Sequence, residues 1–171
     1  NLPIDNWIPK IFADQIWNGT IQRPMIGDWL SSDRPPLQTG VLLVFYPLMV
    51  GNAVLYQTVG TMLQLLVIPA TWSLLCMAGC SNGRPYIILA VCASSLVVVH
   101  SLFIWPKLIS SAYVVLCFIY VWREGSCNIR WFVVGASAAL AMLSHGGAFF
   151  ALGGIFSVWF VFNIIGLSFK K

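Results

Sequence analysis

Charge is scarce in this sequence. Only 8% of its 171 residues are Asp, Glu, Lys or Arg, where an ordinary soluble domain carries about 25%. So few charges cannot cover the surface of a soluble globular fold, and that class is excluded. A disordered chain is excluded as well, because it needs low hydrophobicity. Acid is scarcer still beyond Arg34, where Glu124 stands alone. The five cysteines (Cys76, Cys80, Cys92, Cys117 and Cys127) form no disulfide framework. Cys76 and Cys80 lie one helical turn apart, but no second ligand pair follows to complete a metal site. No internal repeat and no low-complexity tract occurs. No signal-peptide pattern opens the chain, and its polar start at Asn1 reads as a fragment whose upstream part is missing.

What is present is apolar: 59% of the residues are hydrophobic. The composition indicates a polytopic membrane protein whose main partner is the lipid bilayer. The net charge of +4 comes from scattered basic residues at the ends of apolar runs, so no nucleic-acid partner is expected. The expected fold is all-α: a transmembrane helix bundle with about five crossings, an amphipathic helix and a re-entrant or interfacial helix.

Three regions follow. Residues 1–34 hold four of the five acids and form an outer-face loop. Within it Trp7, Ile8, Ile11, Phe12 and Ile16 recur at helical spacing, with Asp5 as N-cap. Lys10, Asp14 and Gln15 fall on the other side, as in a helix lying on a membrane surface. Residues 35–52 open with Pro35-Pro36 and are interrupted by Pro47. Their apolar run falls short of the ~20 residues a span needs, hence the interfacial or re-entrant reading. Residues 53–171 form the bundle, with crossings expected at 53–78 (kinked at Pro69), 86–104, 106–122, 130–144 and 148–169. The fourth is rich in small residues, Gly135 to Ala139 and Ala141, which let helices approach closely. Five crossings place Arg84, Arg123, Arg130, Lys170 and Lys171 on one side, which the positive-inside rule assigns to the cytoplasm. The acidic loop, Lys107 and His145 then share the outer face.

Few residues can carry chemistry. Asp5, Asp14, Asp28 and Asp33 could bind a divalent cation or act as a base, or they simply solvate a loop. Asp33-Arg34-Pro35-Pro36-Leu37 sets an acid and a base before a rigid helix start. It could cap that helix while Arg34 snorkels, or Arg34 could pair with a phosphate. Trp105-Pro106-Lys107 is either an aromatic-belt anchor or a Lys placed against a lipid phosphate. His145, before Gly146-Gly147, and His100 are the two histidines, either satisfied within the bundle or facing a polar cavity.

These features, in this order, resemble the N-terminal half of the GT-C class of integral-membrane glycosyltransferases, nearest to the protein mannosyltransferase and aminoarabinose transferase families. The stretch Leu2-Pro3-Ile4-Asp5-Asn6-Trp7-Ile8-Pro9-Lys10 is similar to the start of that class's first outer loop, and Ser32-Asp33-Arg34-Pro35-Pro36-Leu37 to its end. Residues 102–108 and Leu143-Ser144-His145-Gly146-Gly147 are similar to later segments of bacterial members. The resemblance implies transfer from a polyprenyl-phosphate-linked sugar donor on the outer face. Asp5 would be the catalytic base or a metal contact, with Mg or Mn as the cation. Asp33, Arg34, Lys107 and His145 would line the substrate. The location implied is a bacterial inner membrane with the N-terminal loop periplasmic. The alternative is a non-enzymatic membrane component, a transporter or flippase, or an inactive structural fragment. An ion-coupled transporter would place paired ionisable groups at mid-membrane depth, and this chain has almost none there.

Overall fold

The computed structural model describes residues 6–21, 35–123 and 128–165, and every regular element among them is a helix. The first, α1 (Ile8–Trp17), carries Pro9 in its opening turn, where a missing N–H is tolerated. Asp5, the expected cap, lies outside the described residues, and Trp7 occupies the cap position without a side-chain bond. α1 packs one side, through Ile8 and Ala13, on protein. Its neighbours are α2 (Leu37–Val44) and α3 (Tyr46–Met49), separated at Phe45 where Pro47 starts a new first turn. Ala13, Leu42, Tyr46, Met49, Tyr56 and Ile104 form their shared core.

Next come α4 (Ala53–Gln64) and α5 (Val67–Met77), one apolar stretch of 25 residues. Its irregularity falls at Leu65-Leu66, one turn before Pro69. The proline ring collides with the carbonyl four residues back, and that carbonyl, of Leu65, is taken by the Ile68 N–H at 3.0 Å instead. The stretch expected as a continuous second crossing is two helices, α6 (Arg84–Ala93) and α7 (Ser95–Leu102), bent by 56°. Ser94 makes the break. Its hydroxyl donates to the Val91 carbonyl at 2.8 Å and accepts from the Val97 N–H at 3.3 Å, an alternative to the helical ladder.

The remaining helices are α8 (Lys107–Trp122), α9 (Asn128–Ser144) and α10 (Ala148–Ile165). α8 and α9 pack antiparallel along a stripe of Val134, Ser137, Ala141 and Ser144 on α9. The Ser110 hydroxyl donates to the Ala141 carbonyl at 3.1 Å, close enough only because Ala141 is small. Gly135 faces open space, so the small-residue run is used on one side only.

Among the described residues two helices are long and apolar enough to cross a membrane, Ala53–Met77 and Ala148–Ile165, and a third if the bent pair is one span. The expected count of about five crossings is not supported. At a rise of about 1.5 Å per residue, α8 (16 residues) and α9 (17 residues) fall short of a hydrocarbon core of ~30 Å.

Candidate functional site

The break between α7 and α8 leaves main-chain groups without helical partners. A helix end has up to four such carbonyls, and each is costly to bury unpaired. Polar side chains of α4 and α2 meet them. Thr61 donates to the Ser101 carbonyl at 3.1 Å, Gln57 to that of Leu102 at 2.6 Å, and Gln38 to that of Ile104 at 3.1 Å. Gln64, fully buried, accepts the Ile109 N–H at 3.2 Å in the first turn of α8. Ile104 itself has φ +47°, a left-handed conformation that a β-branched residue rarely adopts. It is buried against Gly60, where a Cβ would meet its Cδ1 at 2.7 Å. None of these glutamines was singled out in the sequence. The available signal was an amide placed in an otherwise apolar run.

Beside this seam lies the α1 docking site. Trp7 stacks on Tyr56 with ring centroids 5.4 Å apart, and Trp17 stacks on Tyr46 at 4.7 Å. The Tyr56 hydroxyl donates to the Asn6 carbonyl at 2.5 Å, fixing the residue next to Asp5 on α4. Asp14 is the one acid among the described residues, and it does not simply face water. Lys10 reaches its Oδ2 at 2.8 Å and the Tyr46 hydroxyl donates to its Oδ1 at 2.7 Å. That hydrogen bond holds the Tyr46 phenol above its ordinary pKa, helped by desolvation and by the carboxylate's charge. The cavity between Lys10, Asp14, Leu42, Tyr46, Met49 and Tyr56 measures ≈ 10 Å³. That is room for about one water, so substrate chemistry has no place inside this cluster.

Of the expected site residues, Lys107 and His145 are described, and they fall at the same end of the bundle. Lys107 opens α8, with its ammonium 4.2 Å from the Trp105 ring centroid. Ile104, three residues earlier, belongs to the core under α1. The Ser110–Ala141 bond then brings the α9–α10 turn, which carries His145, to the start of α8. There the His145 Nδ1 accepts the Gly147 N–H at 3.0 Å, so this nitrogen closes a turn and does not face a ligand. Asp5, Asp33 and Arg34 lie outside the described residues, as do Asp28 and Arg23.

Asp5, on which the resemblance puts a divalent cation, lies outside the described residues. Among the described residues no group of three or more His, Cys, Asp or Glu side chains could hold a metal ion. Asp14 is already engaged by an ammonium and a phenol, which leaves it a poor cation ligand. Comparison with known protein families, characterised proteins and solved structures finds no match.

Proposed function

We propose that this chain belongs to a membrane glycosyltransferase of the GT-C kind, taking its sugar from a polyprenyl-phosphate donor at the α1 end of the bundle. One observation carries the reading. α1, which follows Asp5 in the chain, α2, which follows Asp33-Arg34-Pro35-Pro36, and the Lys107 start of α8 all meet around Ile104. An α1 helix docked on the bundle at the end that carries a cation suits a lipid-phosphate donor. Its sugar stays in water, its phosphate needs positive charge and its tail stays in the bilayer. The large exposed hydrophobic side chains, such as Phe149, Phe150 and Phe160 on α10, suit a bilayer setting.

In this reading Asp5 takes the proton from the acceptor hydroxyl as the glycosidic bond forms. Arg34 and Lys107 stabilise the negative charge that develops on the departing lipid phosphate. The N-terminus of α8 adds to the positive potential at Lys107. Asp33 and His145 would shape the surrounding surface, and the loop would face the periplasm of a bacterial inner membrane.

The test uses membrane vesicles containing the protein and a polyprenyl-phosphate-linked labelled sugar. Asp5→Asn should lower transfer by roughly 10²–10⁴-fold, the usual contribution of a general base. Lys107→Gln should lower kcat by roughly 10²-fold, in the range of a lost charge-stabilising donor. Unchanged transfer by Asp5→Asn removes that residue from the mechanism. Failure of the unsubstituted protein to transfer or bind the sugar lipid overturns the whole reading.

A further inference from the structure

The opposite end of the bundle, about 24 Å away along α8, offers a different surface. A cleft of ≈ 390 Å³ lies there between α5 and α8. Its walls are Trp72, Cys76 and Met77 on α5 and Leu116, Ile119 and Tyr120 on α8. That volume is within the ~300–1,000 Å³ range of small-molecule sites. Arg123 lines the cleft, its guanidinium 5.8 Å from the centroid of Tyr120. Arg84 borders the α5 wall, 5.5 Å over Trp72, with its Nη1 donating to the Cys76 Sγ at 3.0 Å.

Two further details point to an anion. The Nε of Arg84 is buried and has no hydrogen-bond partner among the described residues. Arg84 also opens α6, whose N-terminus carries no side-chain cap, and the start of a helix favours negative charge. The one ion pair among the described residues, Lys10–Asp14, is at the other end of the bundle.

We propose that the α5–α8 cleft binds an anionic phospholipid, with an acyl chain between the two helices and the phosphate on Arg84 and Arg123. Charge complementarity selects this occupant. The guanidinium fork matches phosphate oxygens, and basic pockets between membrane helices take anionic headgroups. A zwitterionic lipid would bring an ammonium towards the same two arginines. A free phosphate would leave the apolar walls unfilled.

The test is made on the purified protein in neutral detergent, titrated with dioleoylphosphatidylglycerol, dioleoylphosphatidylcholine or inorganic phosphate. Native mass spectrometry counts bound lipid and thermal unfolding reads stabilisation. Phosphatidylglycerol should be retained about tenfold better than phosphatidylcholine, and Arg84→Gln with Arg123→Gln should erase that preference. Ser73 also lines the cleft from α5, and Ser73→Phe, which adds bulk there, should reduce retention of both lipids and leave the helical circular dichroism unchanged. Equal retention of the two lipids overturns the proposal, as does an undiminished preference in the double variant. An equal shift with inorganic phosphate alone overturns it in favour of a free-anion site. A lipid-free dimer broken by Ser73→Phe overturns it in favour of a second copy of the chain.

Discussion

Replacing Gly60 with alanine places a methyl group where Ile104 already sits. A Cβ at residue 60 would meet Ile104 Cδ1 at 2.7 Å and Cγ1 at 3.0 Å, both closer than ordinary contact. Ile104 has little freedom to move away. It is buried, its carbonyl is held by Gln38, and its branched Cβ restricts χ1. Overpacking of this kind costs about 1–3 kcal/mol, and a stiff neighbour puts the cost near the upper end. Alanine returns about 1 kcal/mol of helix propensity relative to glycine. The net expectation is a loss of about 2 kcal/mol. In an Ile104→Ala background the collision is gone and only the propensity gain remains, so the same substitution should stabilise by about 1 kcal/mol. The coupling between the two sites is then about 3 kcal/mol, the upper end for residues in direct contact. Reversible unfolding in mixed detergent micelles, followed by circular dichroism across the four variants, measures it. A neutral Gly60→Ala, or the same loss in both backgrounds, would show that Ile104 does not require a bare α4 surface.

Tyr46→Phe removes a hydrogen bond to a carboxylate, worth about 1.5–3 kcal/mol when buried and less here because Asp14 is partly exposed. Amide exchange across α1 should speed up, and equal exchange would mean that the stacked tryptophans alone hold the helix. The folded-state pKa of Tyr46 is raised from 10.0, so its contribution is fully present below pH 10 and is lost as pH rises through the higher folded value. α1 should therefore loosen in alkali, read by Trp17 fluorescence, and Tyr46→Phe should abolish that step. Gln64→Leu leaves the Ile109 N–H buried without its acceptor, at a cost of about 1–3 kcal/mol. Exchange in the first turn of α8 should rise selectively, and an unaffected turn would show that the amide is not needed there.

The helical class was legible because apolar side chains recur along runs of helical length. The number of crossings was not, because mean hydropathy cannot see a break made by hydrogen bonds. Ser94 sits in an apolar run and reads as one more helical residue, yet its hydroxyl turns the chain by 56°. Pro69 was visible as a kink, and the displacement to Leu65 follows from which carbonyl the ring obstructs. At the site, an antiparallel α8 and α9 was enough to place Lys107 and His145 at one end. Lys10 is a partner of Asp14 at i,i+4 spacing, but its second partner was beyond reach: Tyr46 is 32 residues away, past Pro35-Pro36, and no local pattern links them. The sequence leaves the His145 ring either facing a cavity or satisfied in the bundle, and its Nδ1 closes its own turn.

The α7–α8 break argues for function more strongly than any single charge does. The chain reverses between α7 and α8, and a reversal alone requires neither a branched residue at positive φ nor three side chains committed to its carbonyls. Here the chain leaves the helix at Leu102, puts a branched residue at positive φ and restarts at Lys107. Side chains of Gln38, Gln57 and Thr61 are committed to the freed carbonyls, and Gly60 is kept bare for Ile104. Backbone strain of this kind costs about 1–3 kcal/mol and persists where the surroundings over-determine it. What it achieves is positional. It fixes the Lys107 ammonium and the floor under α1 at one end of the bundle, and Tyr56 ties the residue after Asp5 to that same floor. If the strain serves that positioning, Gln57→Leu should weaken the proposed transfer from a lipid-linked sugar through Lys107 without disturbing the α8–α9 seam. Loss of helical packing throughout the bundle, with no selective effect on transfer, would reduce the break to a structural joint.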